Sequence, residues 1–433
     1  MVGFIGGSLW SIFLPSIIIL GLYVLINMFR NLDKISTKSS EKLSFKKAKS
    51  ALSISVSSKI GTGAIIGVLA ALWKISDNGV GGESIVLWVL IGMLILVPLT
   101  YSEVLFTQIT NKMPREFVEF TIGKKIAIVY IVSLVILYSF GFVGFQFTGI
   151  QTVAIILSDR VFNQSLGQGQ LLLYIIIPMI IITAIIIITK NHELFIDVLG
   201  SLISIVIVLY VVMFGIFLVK TSDFIPQYFA DVLKDFTNYK SVGIGLPIGL
   251  ILGFQRIIQI SETVLGTSAL ASSDRENDPR QEAFLQVIAT VITLFVAVVI
   301  TSYIFAYGRT HISGVVLTGN GFDRILGYIE TVSHITGNYG LFVILIFFLF
   351  SGYCTVLGSF HFLNKTMKLG DNGKIIFYLI LISISGLLSV SNFGFIFDVV
   401  DLLMFVVGFI IMLSLFLFTY YNVISIFIYF TRI

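Results

Sequence analysis

Apolar residues dominate this chain of 433 residues. Hydrophobic residues make up 57% of it, charged residues make up 12%, and the mean hydropathy is +1.03. A soluble fold of this length could not bury so much apolar surface, so the composition predicts a protein of the lipid bilayer. The net charge of +4 is small and spread over short segments, which argues against nucleic acid as a partner. The single cysteine, Cys354, excludes a disulfide framework and a cysteine metal site.

The first apolar stretch, residues 8–29, is predicted to be a retained membrane helix. It is long enough to span a bilayer, no basic segment precedes it, and no small-residue cleavage site follows it. The loop after it carries seven basic residues against only Asp33 and Glu41. By the positive-inside rule this loop is cytoplasmic, so the N-terminus is expected outside.

Ten further apolar segments follow along the chain, which gives eleven predicted membrane helices in all. They lie at about 51–73, 82–106, 124–157, 169–190, 194–219, 243–270, 284–307, 340–364, 374–391 and 395–419. Alternate threading leaves more lysines and arginines in the inner loops than in the outer ones, and it places the C-terminus in the cytoplasm. We expect a multi-pass protein of a prokaryotic cell membrane, with an apolar tail that packs on the bundle or lies along the membrane surface.

Two of these segments carry glycines and polar groups at membrane depth. The second reads S-S-K-I-G-T-G-A over residues 57–64, and the seventh contains Arg256 and Glu262. Glycines alone would favour close helix packing, as Gly63 and Gly67 could provide. Ionisable groups inside a membrane point instead to function, and unwound backbone is tolerated there only where it is buried in protein or lines a cavity. The two predicted breaks therefore indicate an internal site.

The position of the breaks suggests how the chain is organised. If segments two to six and seven to eleven are five-helix repeats, each break falls in the first helix of its repeat, which is typical of inverted-repeat transporters. We predict one domain, 1–433, with an N-terminal helix and basic loop (1–50), a first repeat (51–220), a second repeat (243–419) and a tail (420–433). A secondary transporter is predicted rather than an enzyme, because Asp398 and Asp401 are the nearest approach to a catalytic set. That pair could hold a metal or move a proton, but we interpret it as a solvated first helical turn.

The same segments resemble a known family. Residues 61–67, the Gly81–Gly82 turn ahead of Trp88, and Gly92 and Met93 ahead of Glu103 resemble the N-terminal pattern of the alanine or glycine:cation symporters. The seventh segment resembles that family's G-x-x-R-G-x-x-S-N-E-A-G-x-G-S run at Gly253, Arg256, Ser261, Glu262, Gly266 and Thr267. The resemblance implies a leucine-transporter (LeuT) type 5+5 inverted repeat with one additional N-terminal helix. It also implies import of alanine or glycine with sodium.

The resemblance further implies a set of site residues. Substrate contacts are implied for Thr62, Gly63, Ala64, Gln146, Thr148, Ser261 and Ser359. Sodium contacts are implied for Ile60, Gly63, Cys354 and Thr355. Structural or gating roles are implied for Glu103, Arg256, Glu262, Gly266 and Thr267. The expected partners are a small amino acid, sodium as coupling ion and the lipid bilayer, without an obligate protein partner.

Several of these positions depart from the family pattern. Ala64 replaces an asparagine, Cys354 a hydroxyl residue and Ser359 a tryptophan. A thiol is a poor ligand for a hard cation, and smaller pocket residues leave room for a substrate bulkier than alanine. Proton-coupled or uncoupled transport, and a transporter-like sensor, therefore stay open as alternatives. Glu262 is expected to neutralise Arg256 or brace the unwound backbone, with a proton carrier as its alternative role.

Overall fold

The computed structural model describes residues 2–31, 56, 59–77, 82–189, 192–242, 245–272, 278–315, 317, 321–391 and 393–429. Within these ranges, eight helices are long and apolar enough to cross a membrane, or nine if the bent pair Ser204–Lys220 and Ser222–Thr237 forms one span. This confirms the prediction of a multi-span helical membrane protein. The count of eleven spans and the internal repeat stay predictions. The predicted basic loop and the start of the second segment, residues 51–55, lie outside the described residues.

The first half of the chain is a series of helices interrupted by short turns. It contains α1 (Val2–Asn31), α2 (Thr62–Asp77), α3 (Ile85–Ile109) and the short α4 (Pro114–Thr121). Next, α5 (Lys124–Ile136) continues through a π-helical turn (Leu137–Phe142) into α6 (Val143–Phe162). Then α7 (Gln168–Leu171) continues through a second π-helical turn (Leu172–Ile176) into α8 (Ile177–Ile188). A long helix α9 (His192–Lys220), a 3-10 turn (Ser222–Phe224) and α10 (Ile225–Thr237) complete this half.

The second half begins with a small antiparallel pair of strands, β1 (Ser241–Val242) and β2 (Leu246–Pro247). The helices that follow are α11 (Ile248–Ser261), α12 (Thr267–Ala271) and α13 (Pro279–Leu294), which continues through a π-helical turn (Phe295–Ile300) into α14 (Thr301–His311). The last three are α15 (Gly321–Thr366), α16 (Asp371–Ser391) and α17 (Phe393–Tyr429). Helix α15 starts well before the predicted residue 340, with a kink at Gly337, and α17 continues into the predicted tail.

Helix α10 lies between two predicted membrane spans, at 194–219 and 243–270, and was not itself predicted. It is amphipathic, with Tyr228 and Val232 buried on one face. Its buried Asp235 accepts a hydrogen bond from the backbone N–H of Ser84 at 2.8 Å, just before α3 begins. Helix α10 therefore closes the same end of the bundle at which α3 starts.

Close packing explains some of the glycines in these helices. Helices α3 and α11 pack together, and a Cβ atom added at Gly249 would overlap the indole of Trp88. At Gly253 an added Cβ atom would lie 3.0 Å from the backbone of Trp88. Small residues at these two positions allow the helices to approach closely. Close packing through glycine, predicted for Gly63 and Gly67, also holds at Gly67, where a Cβ atom would overlap the Gln259 side chain of α11. The helix breaks need a separate explanation.

Candidate functional site

The first break lies where α2 begins. Ile60 and Gly61 are not helical, and the first residue of α2, Thr62, donates its hydroxyl hydrogen to Oε1 of Gln146 on α6. A Cβ atom added at Gly61 would lie 3.2 Å from both Nε2 of Gln146 and Oγ1 of Thr355 on α15. The break thus brings α2, α6 and α15 into contact through three polar side chains.

The N-terminal end of α2 also lies at this junction. The first N–H groups of a helix lack partners within the helix, and the helix dipole favours negative charge at this end. Gly63 lies close to Gln146, since a Cβ atom added at Gly63 would be 3.2 Å from Nε2 of Gln146. The absence of a side chain at Gly63 therefore keeps this space open. The arrangement is suited to an anionic group such as a carboxylate.

The second break lies between α11 and α12 and has strained backbone. Glu262 (φ 56°) and Val264 (φ 53°) both lie in the left-handed region, which is unusual for any residue with a side chain and most of all for a β-branched one. Neighbouring helices hold this turn. Tyr130 of α5 donates its hydroxyl hydrogen to the carbonyl of Leu265 at 2.8 Å, and the N–H of Ala269 donates to Oε1 of Glu103 at 3.4 Å. Strain that is held in this way is typical of functional segments.

Hydroxyl groups line the second break. The Ser261 hydroxyl lies 2.8 Å from that of Thr263, which lies 2.7 Å from that of Thr100 on α3. The Ser261 hydroxyl also donates to the carbonyl of Ile257 at 2.6 Å. Thr267, at the start of α12, donates to the carbonyl of Glu262 at 3.4 Å. These bonds satisfy polar groups of the interrupted helix inside the protein.

Gln259 connects the two breaks, and the sequence reading missed this role. Its Nε2 donates to the carbonyl of Gly63 at 3.1 Å, and its Oε1 accepts from Nη1 of Arg256. The other terminal nitrogen of Arg256 donates to Oδ1 of Asp401 on α17 at 2.7 Å. Oδ2 of the same carboxylate lies 3.5 Å from Nζ of Lys74, near the end of α2. One polar chain thus runs from the first break to α17 and back to α2.

This chain corrects two predictions. Arg256 forms its ion pair with Asp401 and not with Glu262. Asp401 is 6% exposed, so its interpretation as part of a solvated turn is wrong. An arginine in an apolar helix needs a buried anion as partner. The sequence therefore contained a signal for this pair, because Asp401 is an acidic residue in another apolar helix. The described residues contain no cluster of three or more metal-ligating side chains, so Asp398 and Asp401 do not form part of one.

The charge interactions of Glu262 are with Lys59 instead. Lys59 is 5% exposed, and its ammonium donates to Oε1 of Gln286 and to Oγ1 of Thr290 on α13, each at 3.2 Å. Both Glu262 and Glu103 interact electrostatically with Lys59. Oε2 of Glu103 is buried and has no hydrogen-bond partner among the described residues. These groups form a buried charge cluster beside the second break.

Other predicted site residues form hydrogen bonds outside the junction or are buried beside it. Thr148 donates its hydroxyl hydrogen to the carbonyl of Gly144, one turn back on α6. The hydroxyl of Ser359 bonds to the carbonyl of Thr355 at 2.8 Å and lies 3.1 Å from the carbonyl of Tyr138 in the first π-helical turn. Cys354 is buried beside Thr355. Ala64 is also buried, and its N–H donates to the carbonyl of Gly61 at 3.1 Å.

A cavity of about 820 Å³ lies at one end of the bundle, and we call it the outer cavity because the sequence predicts that this end faces outward. It is lined by residues of α2, α6, α7, α15, α16 and α17. Its charged lining residues are Lys74, Asp323, Arg324 and Asp398, and its aromatic ones are Trp73, Phe393 and Phe397. The Phe397 ring centroid lies 5.0 Å from Nζ of Lys74 and 5.0 Å from Cζ of Arg256. This ring therefore connects the cavity wall to the buried polar chain.

Comparison with known proteins is consistent with this architecture. The family model described as "Sodium:alanine symporter family" matches residues 1–432. A Na⁺-coupled sialic acid symporter, solved in a substrate-bound outward-open state, has a TM-score of 0.51 and 13% identity to this chain. That match covers 91% of this chain and 81% of the other, and it shows likeness of fold alone. The search of curated proteins gave no match.

The extent of the family match decides the class of protein. It covers nearly the whole chain, including both helix breaks and the helices that surround them. Together with the membrane-spanning helices, it makes the protein a transporter and not an enzyme. The chain belongs to the sodium:alanine symporter family.

Proposed function

We propose that this protein is a secondary symporter that imports a small neutral amino acid, such as alanine or glycine, together with sodium. The observation that carries the proposal is the junction of Thr62, Gln146 and Thr355 at the start of α2. This junction combines backbone N–H groups for a carboxylate with an amide and two hydroxyls. Membership of the family supports both the amino acid and the sodium ion.

In the proposed substrate site, the carboxylate binds at the N–H groups of Thr62 and Gly63. The Gln146 amide contacts the substrate beside them, and Ala64 leaves space for the substrate side chain. We assign Thr148, Ser261 and Ser359 to the surrounding shell, because their hydroxyls bond to backbone carbonyls and not to the side chains of the junction. Their replacement is therefore expected to weaken binding less than replacement of Gln146.

Sodium is proposed to bind next to the substrate, with the carbonyls of Ile60 and Gly63 and the hydroxyl of Thr355 as ligands. The Gly63 carbonyl accepts a hydrogen bond from Gln259 and, as the second residue of α2, one from the helix, so sodium binding there displaces one of these bonds. Hard oxygen donors suit sodium, whereas the thiol of Cys354 does not. We assign Cys354 to the wall of this site.

Alternating access is proposed to arise from two five-helix repeats, at 51–220 and 243–419. Helix α1 belongs to neither repeat. In this scheme Glu103, Arg256, Glu262, Gly266 and Thr267 hold the second break in its strained form. The proposed orientation in the cell membrane has the N-terminus outside and the C-terminus in the cytoplasm. In this orientation the outer cavity is the path by which substrate enters from outside. The fold of the sialic acid symporter supports this arrangement.

A proton-coupled transporter is the second candidate. The observation that favours it is the buried cluster of Lys59, Glu103 and Glu262, in which one carboxylate oxygen of Glu103 has no described partner. Intramembrane ionisable groups of this kind serve as proton relays in other transporters. Under this candidate, uptake would follow a proton gradient without sodium.

Uptake by the full chain in proteoliposomes tests the proposal. Labelled alanine and glycine should accumulate when sodium is outside, and replacement of sodium by choline should abolish accumulation. Thr62→Val removes one hydroxyl and should raise the KM for uptake by ~2- to 10-fold, the equivalent of one hydrogen bond. The matched control is Thr419→Val, a buried threonine of α17 whose hydroxyl bonds to its own helix.

Three outcomes would decide against the proposal. Uptake that is undiminished in choline but collapses with the proton gradient would favour the second candidate. Binding of alanine without uptake or exchange would favour a sensor. An equal effect of Thr62→Val and Thr419→Val on KM would remove the first break from the substrate site.

A further inference from the structure

Helix α10 leaves an apolar surface exposed at one end of the bundle. We propose that this surface lies in the headgroup region of a phospholipid leaflet and anchors α10 over the start of α3. The partner is the surface of the membrane itself. The inference does not depend on which solute the protein transports.

The path of the chain brings α10 to the membrane surface. Helix α9 exposes apolar side chains almost to its end, since Ile216 is 38% exposed and Val219 is 76% exposed. The chain then bends by 75° between Ser204–Lys220 and Ser222–Thr237. Membrane-spanning helices tilt on average by only ~20° from the bilayer normal. If α9 spans the membrane, α10 therefore begins at the edge of the bilayer and runs closer to its plane than to its normal.

The residues of α10 form three separate faces at the helical spacing of 3.6 residues per turn. One face is buried against the bundle and contains Tyr228, Val232 and Asp235. The second, which we call the apolar face, is exposed and consists of Pro226, Phe229, Ala230, Leu233 and Thr237. The third, which we call the polar face, is also exposed and consists of Gln227, Lys234 and Asn238. A helix surrounded only by protein and water needs the first and third faces but not the second.

The composition of the apolar face argues for lipid. Phe229 and Leu233 are 60% and 57% exposed and lie four positions apart, so they are neighbours on the helix surface. Helices at a membrane surface bury such a face ~5–10 Å into the boundary between headgroups and acyl chains and keep their polar face in water. The hydroxyl of Thr237 bonds to the carbonyl of Leu233 at 3.0 Å, so it already has a partner within the helix. Burial of this face in lipid thus leaves none of its side-chain polar groups unsatisfied.

The buried face fixes how α10 is turned. Tyr228 donates its hydroxyl hydrogen to Oγ of Ser302 on α14 at 2.9 Å, and Oδ2 of Asp235 accepts from the N–H of Ser84 at 2.8 Å. These bonds hold one side of the helix against α14 and the start of α3, so the apolar face cannot roll into the bundle. Its position after the exposed apolar end of α9 makes it a continuation of the lipid-facing surface.

Anchoring of α10 would act on the bundle through Trp88 of α3. The ring centroids of Phe236 and Tyr239 lie 4.5 Å and 5.9 Å from that of Trp88. Trp88 in turn packs against Gly249 and Gly253 of α11. A series of contacts therefore runs from the proposed lipid surface through α10 and α3 to the helix that ends at the second break.

Spin labelling of the full chain in phosphatidylcholine nanodiscs tests where the two exposed faces lie. Nitroxides would be attached one at a time at Phe229→Cys and Leu233→Cys on the apolar face, with Gln227→Cys and Lys234→Cys on the polar face as matched controls. The wild type, whose single cysteine is buried, measures the background. Labels on the apolar face should relax faster with oxygen, which dissolves in lipid, than with a water-soluble nickel chelate, at a depth of ~5–10 Å. Labels on the polar face should show the reverse.

A second measurement tests the anchoring. Ser84 is 1% exposed, and Ser84→Cys keeps the backbone N–H that bonds to Asp235. The rate at which this cysteine reacts with a water-soluble maleimide reports how often α10 leaves α3. Phe229→Ser combined with Leu233→Ser should raise this rate by ~4-fold or more, the equivalent of one CH₂ group withdrawn from the bilayer. Gln227→Ser combined with Lys234→Ser should leave the rate unchanged.

Three results would overturn the proposal. Greater access of the nickel chelate than of oxygen to the labels on the apolar face would place that face in water. Protection of these labels from both reagents, with magnetic coupling between labels of two chains, would mean that a second copy of the chain covers the face instead of lipid. Equal maleimide rates in the two double variants would show that the apolar face does not hold α10 in place. None of these measurements requires transport, so their outcome is separate from that of the proposed function.

Discussion

Replacement of Asp401 by asparagine should be one of the most destabilising single changes in the bundle. Asp401 is 6% exposed and Arg256 is 1% exposed, and their charged groups lie 2.7 Å apart. Asp401→Asn keeps the side-chain volume but leaves the guanidinium buried without a counter-charge. Breaking a buried pair in this way costs ~3–5 kcal/mol of the free energy of unfolding. The longer contact to the partly exposed Lys74 contributes ~1 kcal/mol at most.

A double-mutant cycle measures this effect. The unfolding midpoint of the detergent-solubilised protein would be compared among wild type, Asp401→Asn, Arg256→Met and the double variant. Because the double variant removes both charges, it should be more stable than Asp401→Asn alone. The control, Asp398→Asn, makes the same change one helical turn away. If Asp401→Asn shifted the midpoint no more than the control, or if the two single effects simply added, the reasoning about this pair would be refuted.

Three further changes test the second break and the N-terminal helix by thermal scan. Gly266→Ala should lower the free energy of unfolding by ~1–2 kcal/mol, since φ is 87° and a Cβ atom would overlap the Tyr130 hydroxyl. Gly215→Ala is the control, because no atom lies within 4 Å of a Cβ atom added there, and an equal shift for the two variants would contradict the prediction. Tyr130→Phe should cost ~1 kcal/mol by removing the hydrogen bond to the second break, and should lessen the cost of Gly266→Ala; strict additivity would argue against a shared contact. Trp10→Phe removes the N–H that donates to the carbonyl of Asp401 at 2.9 Å, and should lower the free energy of unfolding by ~1 kcal/mol. An unchanged unfolding midpoint would show that this bond between α1 and α17 does not stabilise the protein.

The class of fold follows from composition because the bilayer imposes long apolar helices. Both helix breaks were also predictable, since the glycines of residues 61–67 and the charges of Arg256 and Glu262 stand out from apolar surroundings. Helix ends were harder to predict where an amphipathic helix leaves the membrane. The early turns of α15 and the whole of α10 are mixed in polarity, and only tertiary packing shows that residues such as Tyr328 and Tyr228 are buried.

Pairing between distant residues was the part that the sequence left open. Arg256 and Asp401 are 145 positions apart, whereas proximity in the chain predicts Glu262, only six positions from Arg256, as the partner. The left-handed backbone at Glu262 turns the chain out of the helix, so closeness in sequence no longer predicts closeness of side chains. The hydrogen bond from Gln259 to Gly63 could not be predicted either, because the two residues are 196 positions apart in the chain.

The dependence of alanine affinity on sodium tests the central claim most directly, because coupled sites must change each other's affinity. The Kd of alanine for the purified full chain would be measured over a range of sodium concentrations at constant ionic strength. Saturating sodium should lower this Kd by ~5- to 150-fold, saturating alanine should tighten sodium binding by the same factor, and Thr355→Val should reduce both effects. A Kd that stays constant from zero to saturating sodium would contradict a shared site at the first helix break.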